Sequence, residues 1–148
     1  MPEAFQQLSA VARVFNALIG FLVSLGVGPA YCHQLQVRGR KSGRIYTTPV
    51  NLIERDDKHW LVAPRGRAQW TINAEAAGEI VLKRGSQRKT YAIRVTAPEE
   101  RPVLLKQYLD AFPSQVQSFF SVKAGAPVSE FAAVASQHPV YELLPRAA

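Results

Sequence analysis

The chain has 148 residues, 47% of them hydrophobic, and a formal net charge of +7; that suits one domain with a sizeable core. One cysteine, Cys32, excludes an internal disulfide and fits a reducing, cytoplasmic compartment, and with only three scattered histidines beside it no metal site is expected. The basic balance asks for an anionic partner: a phosphorylated cofactor, an acidic membrane surface or nucleic acid.

In chain order, Glu3 to Leu25 predicts a helix, with Phe5, Leu8, Val11, Ala12, Phe15, Leu18, Ile19 and Leu22 recurring at three and four. Gly26, Gly28 and Pro29 end it. Its uninterrupted apolar run is shorter than the roughly 20 residues of a spanning helix. Residues 1–30 are therefore expected to dock on the domain or to rest peripherally on the inner face of the cell membrane. Residues 31–148 are expected to form the domain itself.

A short alternating strand follows over Gln34–Arg38, and then Gly39-Arg40-Lys41-Ser42-Gly43-Arg44 in the position of a hairpin turn. Glycine lets backbone N–H groups approach a ligand, and the cations and the Ser42 hydroxyl suit an anion such as phosphate. The next strand is Ile45–Glu54, with Tyr46, Thr48, Val50 and Leu52 on one face. Pro49 inside it points to an edge or a bulge. A polar turn, a strand over His59–Ala63 and a second basic loop, Pro64-Arg65-Gly66-Arg67, come next. A helix over Ala68–Ala77 closes on Gly78. Its first amides could face an anion, and Trp70 and Asn73 share one face.

Strands are then expected over Glu79–Lys83 and Arg88–Thr96, with Tyr91, Ile93 and Val95 inward. Thr96-Ala97-Pro98-Glu99 matches a capping box for a helix over Pro98–Ala111. Shorter helices over Ser114–Val122 and Ser129–Ser136, and a last strand over His138–Leu144, complete the chain. Tight turns between strands favour an antiparallel sheet, so the class is α+β: a small barrel with helices over its openings.

Three segments together carry a resemblance: Gly39–Gly43 with Thr48-Pro49 after it; Gly66 followed by Gln69-Trp70-Thr71-Ile72-Asn73; and His138-Pro139-Val140-Tyr141-Glu142-Leu143. In that order they resemble the deazaflavin-dependent nitroreductase family, over roughly Gln34–Leu144. The resemblance implies an antiparallel split β-barrel related to FMN-binding flavin reductases. It implies coenzyme F420 as cofactor and hydride transfer to a quinone or nitro compound. It places the phosphate and glutamate tail at Gly39, Arg40, Lys41, Ser42 and Gly43, and the ring beside Thr48, Pro49, Trp70 and Asn73. By charge, Arg38, Arg40, Lys41 and Arg44 provide one wall of a groove for an anionic tail, and Arg65 with Arg67, either side of Gly66, could provide another. Two departures bear on the acceptor more than on the deazaflavin. Asn51 stands where nitroreductases of the family carry tyrosine, and the Pro64–Arg67 loop is short and arginine-rich.

Hydride chemistry needs binding and orientation from the protein rather than a nucleophile or metal. That agrees with the absence of any Ser/His/Asp pattern, and no catalytic residue is assigned. Tyr46 and Tyr141 are candidate proton donors, with a core role as the plainer account of both. The alternatives are a cofactor- or fatty-acid-like-ligand-binding protein of the same fold, or an FMN-dependent reductase. A small-molecule electron acceptor, and a homodimer, are the expected partners. Nucleic acid is not, because no aromatic ladder accompanies the charge.

Overall fold

The structure is a computed structural model and describes residues 32–146. Six antiparallel strands close into a barrel in the order β1-β2-β3-β6-β5-β4. They are β1 (Cys32–Arg38), β2 (Ile45–Arg55), β3 (Lys58–Val62), β4 (Glu79–Arg84), β5 (Gln87–Val95) and β6 (Val140–Pro145). Helix α1 (Gln69–Ala77) lies between β3 and β4. Between β5 and β6 come a 3₁₀ turn (Pro98–Glu100), α2 (Arg101–Ala111), α3 (Pro113–Val116), and α4 (Val128–Ala132) with flanking 3₁₀ turns. The α+β class and the split barrel expected from the sequence are what the chain forms. The N-terminal helix expected over residues 1–30 lies outside the described residues.

Alternation decides which face of each strand enters the barrel. Leu35, Val37, Leu52, Leu61, Ile80, Leu82, Tyr91, Tyr141 and Leu143 fill the interior, with Ala74 of α1 against them. Ile53, Trp60 and Val62 point the other way, into a second core beneath α2 and α3 with Leu104, Leu105, Tyr108, Leu109 and Phe112. This is why the second half of β3, Trp60-Leu61-Val62, is apolar at every position: it is covered on both faces. Each large side chain so buried contributes about 1.5–3 kcal/mol.

Pro49 sits in a closed barrel, yet its position is an edge. β2 pairs with β1 over Ile45–Asn51 and with β3 over Leu52–Arg55. Pro49 therefore lies on the stretch with one strand neighbour, where its missing N–H costs no ladder bond.

Several expectations need correction. Val95 and Tyr46 share the inward faces but end their strands at the rim, where they are 49% and 50% exposed. The capping box is one residue later than expected: the Ala97 N–H donates to Glu100 Oε2 at 2.8 Å. Thr96 is used elsewhere. Its hydroxyl donates to Val140 O at 2.7 Å and accepts from Arg101 Nε at 3.1 Å. Buried Arg101 also reaches Thr96 O and Ala135 O, tying the start of α2 to the barrel. The helix expected from Ser114 is a short α3 and a 3₁₀ turn (Gln117–Phe119), and that expected from Ser129 starts at Val128 after Pro127 and breaks before a turn over Ala135–Gln137.

Candidate cofactor site

The basic loop closes the β1–β2 hairpin. The Gly39 N–H donates to Arg44 O at 2.7 Å and the Gly43 N–H to Gly39 O at 3.0 Å. Gly43 has φ +74°, in the left-handed region that side chains avoid. Gly39 is needed for a different reason: a Cβ there would lie 2.7 Å from Tyr46 Cε2 and 3.0 Å from Ser42 Oγ. The tyrosine ring therefore packs on the loop backbone. Ser42 Oγ accepts from the Arg44 N–H at 3.2 Å and lies 3.4 Å from the Tyr46 hydroxyl.

Helix α1 meets this loop from the side. Asn73 Oδ1 accepts the Arg40 backbone N–H at 3.1 Å and Arg40 Nη1 at 2.7 Å. Arg40 Nη1 also reaches Gln69 Oε1 at 3.2 Å. Asn73 is buried, so its amide is committed to the loop. Arg40 itself stays exposed, and its Nε and Nη2 have no partner among the described residues, nor has the Lys41 ammonium. Gln69 was not singled out from the sequence. Its place one turn before Asn73 on the same face is the signal that would have found it.

Two contacts hold α1 across the barrel mouth. Trp70 meets Tyr141 edge-on, with ring centroids 6.0 Å apart, and the Tyr141 hydroxyl donates to Glu75 Oε2 at 2.6 Å. Burial pushes the Tyr141 pKa up, and the Glu75 carboxylate adds to the rise. Tyr141 is fully buried, so it anchors α1 and touches no ligand. The helix start is partly used within the chain, since the Ala68 N–H donates to Thr71 Oγ1 at 2.9 Å.

The second basic loop is held by the segment that leads into β6. Gly66, with φ +81°, packs where a Cβ would meet Gln137 O at 3.0 Å. Arg65 lies over the Phe119 ring at 4.8 Å. His138 Nδ1 bonds Pro64 O at 2.8 Å. Arg65 and Gly66 are thus fastened to the segment before β6, at the same barrel end as the first loop but without a direct bond to it. Thr48 and Pro49 are half-buried on β2, opposite Leu35 and Gln34. The structure therefore joins Arg40, Ser42, Gly39, Tyr46 and Asn73 directly, while the side chains of Thr48, Pro49 and Arg65, and Gly66, make no hydrogen bond to this group among the described residues. Asn51, set apart in the sequence, donates to Gln115 Oε1 of α3 at 2.7 Å.

No group of metal-binding side chains occurs among the described residues. Residues 10–128 match the family model of the F420H(2)-dependent quinone reductases. The chain belongs to this family. No functionally curated protein matches it in sequence. Among solved structures, an F420-H2-dependent reductase, FDR-A, is 20% identical with a TM-score of 0.53, over 77% of this chain and 94% of its own. The heme storage protein HutZ from Vibrio cholerae is 10% identical with a TM-score of 0.56, over 80% and 83%. A structure described as a domain-swapped dimer is 18% identical with a TM-score of 0.54, over 90% and 96%. At these identities the structural likenesses show the fold alone. In this F420H(2)-dependent quinone reductase family member, Asn73, Gln69 and Tyr46 are the side chains that meet the Gly39–Arg44 loop.

Proposed function

We propose that the protein binds coenzyme F420 at this barrel end and passes hydride from its reduced form to a quinone-like, electron-poor acceptor. The observation that carries the proposal is the docking of the Gly39–Arg44 loop by Asn73 in a chain of this family. The residues present fit an anionic tail. Arg40 is held by one side-chain nitrogen and offers the rest of its fork, Lys41 adds a point charge, and Gly39 lets the Tyr46 ring lie against the loop. The chemistry supplied by the bound deazaflavin is two-electron hydride donation.

The chain's own part is to bind and orient. Arg40, Lys41, Ser42, Gly43 and Arg44 receive phosphate and carboxylates, with Arg65 and Gly66 at the far side of the mouth. Thr48, Pro49 and Trp70 form walls for a planar ring. Asn73 contributes by fixing Arg40 rather than by touching the ligand. Tyr46, exposed beside Ser42, is the hydroxyl placed to give a proton to a reduced acceptor. A homodimer would pair along Ile45–Asn51 of β2, where Ile45 and Tyr46 are exposed and β3 makes no ladder; light scattering tests it.

Titration with oxidised F420, with FMN in parallel, tests the proposal. Binding of F420 at micromolar concentration and oxidation of its reduced form by menadione are expected. Binding without oxidation points instead to a carrier, and no F420 binding refutes the assignment.

A further inference from the structure

A second basic surface lies at the other end of the barrel. β4 runs antiparallel to β1, with Gln34 opposite Lys83 and Gln36 opposite Val81. The β4–β5 hairpin therefore sits beside Cys32, while the Gly39–Arg44 loop follows the opposite end of β1. Seven residues of β1 separate them, about 20 Å at a strand's rise of about 3.3 Å per residue. That exceeds the Debye length of about 8 Å at physiological salt, so the two surfaces act independently.

The turn end of the hairpin, residues 83–89, carries Lys83, Arg84, Arg88 and Lys89 and no acidic residue. Lys83 and Arg88 are paired directly across the strands. Like charges in that position repel, so the arrangement weakens the hairpin unless an anion lies over it. Arg88 and Lys89 are exposed. Lys83, Arg88 and Lys89 have no ion pair among the described residues, and Lys89 rests over the Tyr91 ring at 5.5 Å. The β2–β3 hairpin at the same end carries one net negative charge, since Glu54, Asp56 and Asp57 stand beside Arg55 and Lys58, so the basic surface there is confined to β4–β5.

We propose that the β4–β5 hairpin is a docking surface for an anionic membrane. The chemistry of the adjoining chain selects lipid over nucleic acid. Residues 14–31 hold no charge and are mostly apolar, and they precede Cys32 in the chain. Arg84 Nη1 donates to Cys32 O at 2.9 Å, so the hairpin is tied to the residue that follows them. An apolar sequence leading to Cys32 and a basic patch bonded to Cys32 supply the two signals that stable peripheral attachment requires. Docking by this end also turns the first basic loop away from lipid phosphates, which would compete there with an anionic cofactor.

The test uses the full chain without cofactor, in flotation with phosphatidylcholine vesicles, plain or containing phosphatidylserine. Binding is expected to phosphatidylserine vesicles and to weaken with salt. Arg88→Gln with Lys89→Gln should lower it about 25-fold, from about fivefold per charge near an anionic surface. Lys41→Gln with Arg44→Gln makes the same charge change at the opposite end and should leave vesicle binding nearly unchanged. F420 affinity should not move in the hairpin variant, which separates this proposal from the cofactor assignment. Equal loss in both double variants, no loss in either, or tighter binding to duplex DNA or RNA than to vesicles at the same salt would overturn it.

Discussion

Asn73 accepts two hydrogen bonds from one residue, the backbone N–H and the guanidinium of Arg40, through a single oxygen. Loop and helix are 33 positions apart in sequence and become one unit through that oxygen. The amide fixes both where the Arg40 backbone runs and where its charge points.

Asn73→Ala should therefore weaken F420 binding about tenfold, the worth of one hydrogen bond to a charged group. On an Arg40→Ala background the same change should cost little, because Asn73 acts through Arg40. Fluorescence titration of the four proteins of the cycle measures the coupling. Additive losses would show that Asn73 meets the cofactor itself.

Gly39→Ala should destabilise the protein by about 1 kcal/mol, at the low end for overpacking, because the Tyr46 ring it meets is at the rim and can move. Tyr46→Ala should relieve most of that loss. Denaturant midpoints of the single and double variants decide whether the glycine is there for the ring.

Tyr141→Phe removes the hydroxyl bonded to Glu75. A bond to a charged acceptor and water's access to exposed Glu75 together suggest a loss of about 1.5 kcal/mol. The denaturant midpoint should fall with its slope unchanged, and Trp70 emission should change because α1 is no longer pinned.

Stability should fall as pH drops below the ordinary histidine range. Burial lowers the pKa of His138, against a smaller opposing effect of its bond to Pro64. Stacked on Phe120 at 4.1 Å, the ring has an unpartnered, buried Nε2. The unfolded chain thus takes up the proton first, and stability is full above about 6.5 and declines through the lowered folded value. His138→Phe should flatten that part of the pH profile in urea melts, whatever it costs at pH 8. A second decline belongs to Glu100, held down to about 2 chiefly by its bond to Arg94 and then by the Ala97 N–H. Its contribution is lost as pH falls from the usual carboxylate range toward 2.

Period and punctuation determined most of this protein. Alternating apolar residues marked the barrel strands, glycines marked both basic loops, and Gly78 marked the end of α1. These signals are local, so one chain segment suffices to carry them. The ordered set of Gly39–Gly43, Thr48-Pro49, Trp70/Asn73 and His138–Leu143 also sufficed to suggest the family. Tertiary structure alone decided how those pieces meet. Nothing in the sequence said that Asn73 would hold Arg40, that Gly39 leaves room for Tyr46, or that Arg65 would turn to Phe119. It decided the cap as well: Thr96 was drawn away to Val140 and Arg101, and Glu100 took the role expected one residue earlier. The closed barrel also put the two basic hairpins at opposite ends. Strand direction sets that separation, and direction is a property of the pairing between distant segments rather than of any one of them.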